Sequence, residues 1–318
     1  MIPTECIFGP VPSRRLGKSL GINHIPAKHC AYSCIYCQLG RTDRMTIERR
    51  EFYPPGDIVA AVTDKLAAAE MNGETVDYLT FVPDGEPTLD IHLESEIDLL
   101  RSRNIPIAVI SNASLIDNPD VRRALAKADW VSLKMDAVDE KIWRAVDRPH
   151  GSLSLDAILE GALAFSREFS GRLVTETMLV GGINDTTVVL EELAAFLDLL
   201  RPGTAYLSIP IRPPAESGVR APDATSMTRA WRILSGAVDK AETLTGYEGN
   251  AFASTSDVAA DLLSITAVHP MREDAVEELL VRSEGGRDIV ECLVAEGKIL
   301  RTEFDGYRFY LRNFKSEL

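Results

Sequence analysis

Cys30, Cys34 and Cys37 stand within eight residues, in the stretch CAYSCIYC, and the chain has only two other cysteines, Cys6 and Cys292. Thiols at this spacing hold metal or do redox chemistry, and five in so long a chain are too few for a disulfide scaffold. A structural zinc site closes with four ligands. Here Cys6 and Cys292 are remote, no nearby histidine completes a finger, and His29 adjoins Cys30, where neighbouring side chains seldom share one ion. A [4Fe–4S] cluster normally takes four cysteines, one on each iron. Three leave one iron open to a substrate or cofactor, just as catalytic zinc keeps an open position. The competing reading is a three-cysteine zinc site with a distant fourth ligand.

A second motif follows one strand later. The segment DYLTFV runs into PDGEPTL, which sets Gly85-Glu86 at a strand end. Taken alone, Asp-Gly is an ordinary turn and Glu86 a solvated loop acid. Further on, WVSLKMDA alternates. Val131, Leu133 and Met135 share one face, and Ser132, Lys134 and Asp136 share the other. Apolar residues on such a strand pack against helices, while a polar row lines a barrel and serves a site near the strand's C-terminal end. The alternative is an edge strand with a wet face. Arginines cluster at loop positions too: Arg14 and Arg15 in VPSRRLG, Arg148 in DRPH and Arg212 in IPIRPP. Guanidinium suits bidentate contact with phosphate or carboxylate. Surface ion pairing in an acid-rich chain is the other use for them.

These residues need a frame. Segments at 57–70, 91–103, 120–128, 155–169, 186–200 and 225–244 have a helical period, and segments at 18–25, 76–82, 105–111, 130–137, 172–180 and 204–211 read as strands. Six β/α units predict an α/β fold, a partial (β/α)6 TIM-like barrel with its site at the C-terminal strand ends. After residue 250 the pattern changes to three short helices and two strands around Asp305-Gly306, which predicts a small winged-helix-like domain. The expected division is 1–248 and 249–318.

Of the 318 residues, 45% are hydrophobic, enough to bury a core of this size, and the formal net charge of −14 opposes generic binding to nucleic acid or an anionic membrane. No apolar run reaches the ~20 residues of a membrane span. The start MIPTECIFGP has no basic region before an apolar stretch, so a cytoplasmic protein is expected.

Cys-x3-Cys-x2-Cys with Tyr36 before the last cysteine resembles the signature of the radical S-adenosylmethionine (SAM) superfamily. The resemblance implies a barrel of that type, a [4Fe–4S] cluster on Cys30, Cys34 and Cys37, and SAM chelating the open iron. A reduced cluster then splits SAM into methionine and a 5′-deoxyadenosyl radical, which abstracts hydrogen from a substrate. By the same resemblance Tyr36 packs near the adenine and Gly85-Glu86 meet the SAM amino group. Ser111 and Asn112 are placed like ribose-binding residues, the Ser132, Lys134 and Asp136 row serves the cofactor site, and Gly181 lets backbone approach the adenine. An electron donor such as a flavodoxin or ferredoxin is implied as a partner.

GPVPSRRLGKSLGI, CAYSCIYCQLGRT, GEPTL, LKMDA, RPH, TMLVGGIND and IRPPAE also resemble the wyosine-synthase-like Fe–S oxidoreductases. Wyosine synthases carry a second cysteine triplet upstream, where this chain has Cys6 alone, which argues against an auxiliary cluster. Epimerisation needs a hydrogen donor, and Cys6 and Cys292 are the spare thiols; the apolar spacing of IVECLVAEG predicts a buried face for Cys292. The leading expectation is a radical SAM enzyme acting on an unknown substrate, with a protein or peptide docked by the C-terminal domain as one form that substrate can take. A tRNA-modifying enzyme and an Fe–S-sensing winged-helix regulator are the alternatives.

Overall fold

The computed structural model describes residues 6–246, 257–268, 270–283 and 285–313. The chain opens with a hairpin, β1 (Ile7–Ser13) and β2 (Gly17–Ile22). Two short parallel strands, β3 (His29–Cys30) and β4 (Arg44–Met45), bracket the cysteine loop. Then come α1 (Pro55–Met71), β5 (Tyr78–Phe81), α2 (Leu93–Leu100), β6 (Ile107–Ser111), α3 (Pro119–Leu125) and β7 (Trp130–Lys134). Two helices follow β7, α4 (Glu140–Val146) and α5 (Leu155–Glu168), before β8 (Arg172–Met178), α6 (Thr187–Leu200), β9 (Thr204–Ser208), α7 (Ala224–Ser235) and β10 (Ala241–Leu244). Helix starts are fixed by side chains: Asn118, Asp139, Ser154, Thr186 and Asp223 each accept a backbone N–H of the first turn.

The strands form one sheet in the order β1-β2-β5-β6-β7-β8-β9-β10, parallel throughout except that β1 runs against β2. This is an α/β fold, a curled, TIM-like half-barrel built on the six expected β/α units. Two edge strands are additions. The segment 225–244, expected as one helix, breaks: α7 stops at Ser235 with Gly236 at its cap, and Ala241–Leu244 instead pairs with β9. The open edge of β9 decides the state of so short a segment, not its own period.

Strand alternation sets the layers. Val131 and Leu133 pack outward in the main core between sheet and helices. Trp130 points the other way and joins Leu16, Ala108, Val174, Tyr206 and Leu244 in an apolar plug inside the half-barrel. Leu16 belongs to the β1–β2 turn and Leu244 to β10, so elements from both sheet edges meet in that plug.

The last part comprises α8 (Val258–Val268), β11 (Met271–Arg272), α9 (Glu273–Arg282), α10 (Arg287–Ala295), β12 (Ile299–Phe304) and β13 (Tyr307–Arg312), with a small sheet ordered β11-β13-β12. The β12–β13 turn takes positive φ at both Asp305 and Gly306, as a two-residue hairpin requires. Phe8 and Val11 of β1 are buried in a cluster with Leu262, Met271 and Leu279, and Lys65 of α1 meets Asp261 of α8 at 3.7 Å. The C-terminal unit thus covers the edge strand that a half-barrel otherwise leaves open. The expected boundary at 248/249 lies outside the described residues. Among the described residues, no helix is long and apolar enough to cross a membrane.

Candidate active site

The three cysteines are held by stitching on both sides. On one side Glu86 N donates to His29 O at 3.0 Å and Lys28 N to Asp84 O at 2.7 Å, which binds the loop to the end of β5. On the other, Ile35 N donates to Val146 O at 2.9 Å and His150 N to Ala31 O at 2.8 Å. Ala31, Tyr32 and Ile35 anchor the loop in the interior, and Trp143 Nε1 donates to the Tyr32 hydroxyl at 3.2 Å. Gly85 is required at the junction, because a Cβ there would land on the His29 carbonyl oxygen.

The loop faces a cavity of about 320 Å³ at the C-terminal strand ends, within the size range of small-molecule sites. Cys30, Cys34, Cys37, Tyr36, Gly85, Ser111, Asn112, Lys134, Arg14, Arg15 and Arg212 all line it. Ser132, Asp136, Gly181, Arg148, Cys6, Cys292 and Glu86 are not part of the lining. Ser132 is fully buried in β7. Gly181 lies against the 220–222 segment, where a Cβ would meet Ala221 O at 2.9 Å. Arg148 reaches Glu216 at 2.5 Å, alongside Arg41 at 2.8 Å, and the two arginines hold the Glu216 carboxyl down at about 2. Cys6 is buried beside Tyr53. Cys292, expected on a buried face, is exposed, because α10 buries Val290 and Leu293 and turns Cys292 outward to Glu296.

Glu86 faces into the wall. Its carboxylate accepts from Thr88 N (3.1 Å), Thr88 Oγ1 (2.6 Å), Ser111 Oγ (2.7 Å) and Asn112 N (2.7 Å), tying the β5 loop to the end of β6. Burial pushes its pKa up, and these four donors work against that. Asn112 then spends its amide on a cysteine, with Nδ2 donating to Cys30 Sγ at 3.3 Å.

Glu176, on β8, stands out neither by motif nor by position in the sequence, yet it centres the cavity floor. Arg15 donates to one oxygen, and Lys134 (3.2 Å) and Ser208 (3.0 Å) donate to the other. Burial would raise its pKa, but Arg15 and Lys134 outweigh that and hold it at about 2. Lys134 feels the same balance: burial lowers its pKa, and Glu176 and Asp136 raise it by more. Its ammonium also lies 5.0 Å from the centre of the Tyr36 ring. The only advance sign of Glu176 is one acid in the otherwise uncharged strand interior LVTETM. Asp147 was equally hidden. With Asp136 it receives the Tyr36 hydroxyl, and the Cys34 thiol approaches it at 3.4 Å.

The donor set fits an iron–sulfur cluster. Burial pushes the thiol pKa of Cys30 to about 12 and those of Cys34 and Cys37 upward, and a bound cation favours the thiolate against that. Among the described residues no three acidic, His or Cys side chains stand at single-ion spacing.

A family model described as the radical SAM superfamily matches residues 24–197. The UPF0026 protein of Methanocaldococcus jannaschii is 50% identical over 311 residues, covering 97% of this chain and 96% of that one. Among solved structures, a radical SAM methyltransferase from Sphaerobacter thermophilus superposes with a TM-score of 0.53 at 18% identity, covering 71% of this chain and 66% of the other. The structure described as TYW1 with a lysine-pyruvate adduct bound gives 0.50 at 17% identity, covering 69% and 73%. At such identities the superpositions speak to fold alone. The family model spans more than half of the chain, over the segment that carries the cysteine loop, Gly85-Glu86 and Glu176, and by that match this chain belongs to the radical SAM superfamily.

Proposed function

We propose that the chain is a radical SAM enzyme whose cysteine loop carries a [4Fe–4S] cluster, with SAM in the adjoining cavity. The observation that carries this reading is the convergence of all three thiols, Gly85, Ser111 and Asn112 on one cavity. Cluster and SAM together would supply a reductive C–S cleavage that leaves methionine and a 5′-deoxyadenosyl radical for hydrogen abstraction. The chain's own residues do the rest. Asn112 presents an N–H to the Cys30 sulfur. Tyr36, fixed through its hydroxyl on Asp136 and faced by Lys134, offers a held aromatic wall for the adenine. Val82, Ile110, Met178, Ile209 and Ile211 limit water around a reactive species. A flavodoxin or ferredoxin would be the reductant, and the protein is read as cytoplasmic.

The C-terminal unit has the element order of a winged helix and is read as one. Residues 257–313 hold seven Lys and Arg against twelve Asp and Glu, which disfavours DNA or tRNA as its partner. The test is anaerobic. After reconstitution with iron and sulfide, SAM and dithionite should yield 5′-deoxyadenosine, and Cys34→Ala should abolish it. An intact cluster that leaves SAM whole would move the reading to a sensor.

A further inference from the structure

The connection from β9 to α7, residues 209–223, contains neither helix nor strand, so its ordering comes from ties to other segments. Ile209, Ile211 and Arg212 line the cavity. From there the connection runs onto the cysteine loop. Arg212 Nη1 donates to Gln38 Oε1 at 3.3 Å, and Glu216 N donates to Ile35 O at 3.1 Å. Val219 is buried against Ile35 and Val180, in an apolar cluster that Tyr36 and Met178 join. At the far end Gly181 N donates to Arg220 O at 2.9 Å. The connection thus spans from the cysteine loop to the loop after β8.

One side chain gathers the charged ties. Glu216 accepts a bidentate contact from Arg41, Nε at 2.8 Å and Nη2 at 3.0 Å, and a third bond from Arg148 Nη1 at 2.5 Å. Arg41 follows the cysteines in their loop, and Arg148 follows Asp147, which the Cys34 thiol approaches. Glu216 therefore pins the connection to both segments that flank the thiols. These pairs are unlike the one at the cavity floor: Arg41 is 70% exposed and Arg148 44%, where Glu176 is 12% exposed. Ion pairs so exposed are weak and screened by salt. Val219 and the Gly181–Arg220 bond fix the α7 end independently of them, so release of Glu216 frees the stretch that lines the cavity and leaves the rest anchored. We propose that the 209–223 connection is a strap beside the cavity mouth and that Glu216 is its latch: paired with Arg41 and Arg148 it closes the strap on the cysteine loop, and its release lets SAM enter and leave. This concerns the regulation of the proposed SAM site and rests on that reading. A weak latch suits the task, because a radical needs shelter from water while SAM must still come and go.

The test measures both rates of SAM exchange on the anaerobically reconstituted protein, with radiolabelled SAM captured on binding and chased with unlabelled SAM for release. Glu216→Gln should speed release by about fivefold, the scale of losing exposed ion pairs, and should speed capture as well, because an unlatched strap hinders neither direction. Its iron content should equal that of the parent. Arg41→Gln, at an exposed side chain, should move both rates the same way by less, and should add little on top of Glu216→Gln. Raising the salt concentration should speed release from the parent more than from Glu216→Gln, since only the parent has a latch to screen. Unchanged rates in both variants overturn the latch. So does faster release with slower capture, or a loss of iron, either of which would make Glu216 a structural support of the cysteine loop. A parent protein that takes up its cluster and fails to bind SAM refutes the reading beneath the proposal instead.

Discussion

The barrel mouth and the C-terminal unit use charge in opposite ways. In the C-terminal unit Arg272, Arg287, Lys298, Arg301 and Arg308 each meet a carboxylate of the same unit, mostly at the surface. Such pairs are short-range, screened by salt and worth little. At the mouth Arg15, Lys134 and Glu176 are largely buried and bridge distant parts of the chain. Glu176 joins Arg15 across 161 residues, and Tyr36 joins Asp136 across 100. Buried charges that shift one another's pKa cluster at functional sites. The difference fits the proposal that the mouth is the working region and the C-terminal unit a cover of the β1 edge.

The contrast predicts a ladder of effects. The largest belongs to the loop junction. Gly85→Ala drives a methyl into the His29 carbonyl, so reconstituted protein should lose most of its iron, read by iron-to-protein ratio. Glu86→Ala comes next. It leaves four buried donors without their acceptor and should cost about 3 kcal/mol, seen in a denaturant melt. SAM affinity should fall with it, since Ser111 and Asn112 lose their anchor.

A smaller effect of opposite sign is expected at Glu96 on α2. It is fully buried, with neither oxygen bonded, and burial, then Asp90, push its pKa to about 9. Its folded form keeps a proton that the unfolded chain gives up, so stability should fall as pH rises from about 4.5 towards 9. Glu96→Gln should remove that slope and stabilise by about 1–2 kcal/mol at pH 8, measured by melts across pH. The smallest effect is Arg308→Ala, which removes one exposed pair with Glu273. It should leave both the melt and SAM binding indistinguishable from the parent, and a marked loss of SAM binding would break the contrast.

Much of this was legible in the sequence where chemistry or periodicity is local. The convergence of the cysteines and Gly85 on one cavity, the alternation in WVSLKMDA and the Asp305-Gly306 turn reappear as structure, whereas Glu86 turns into the wall. What stayed hidden depends on partners far along the chain. β10 exists because β9 offers an edge. Glu176 matters because Arg15 and Lys134 arrive from β1–β2 and β7. Arg148 looked like a mouth residue until Glu216, 68 residues away, claimed it. Cys292 looked buried because its neighbours are apolar, but Val290 and Leu293 turn inward and Cys292 turns out.

The central claim is that three thiols hold a cluster with one iron left for SAM. Mössbauer spectroscopy of the anaerobically reconstituted protein, before and after SAM, tests it most directly. The account predicts about four irons per chain, with one iron site changing its signature when SAM is added and the others holding theirs. A protein that takes zinc tightly and no iron, or a cluster whose every iron ignores SAM, would contradict it.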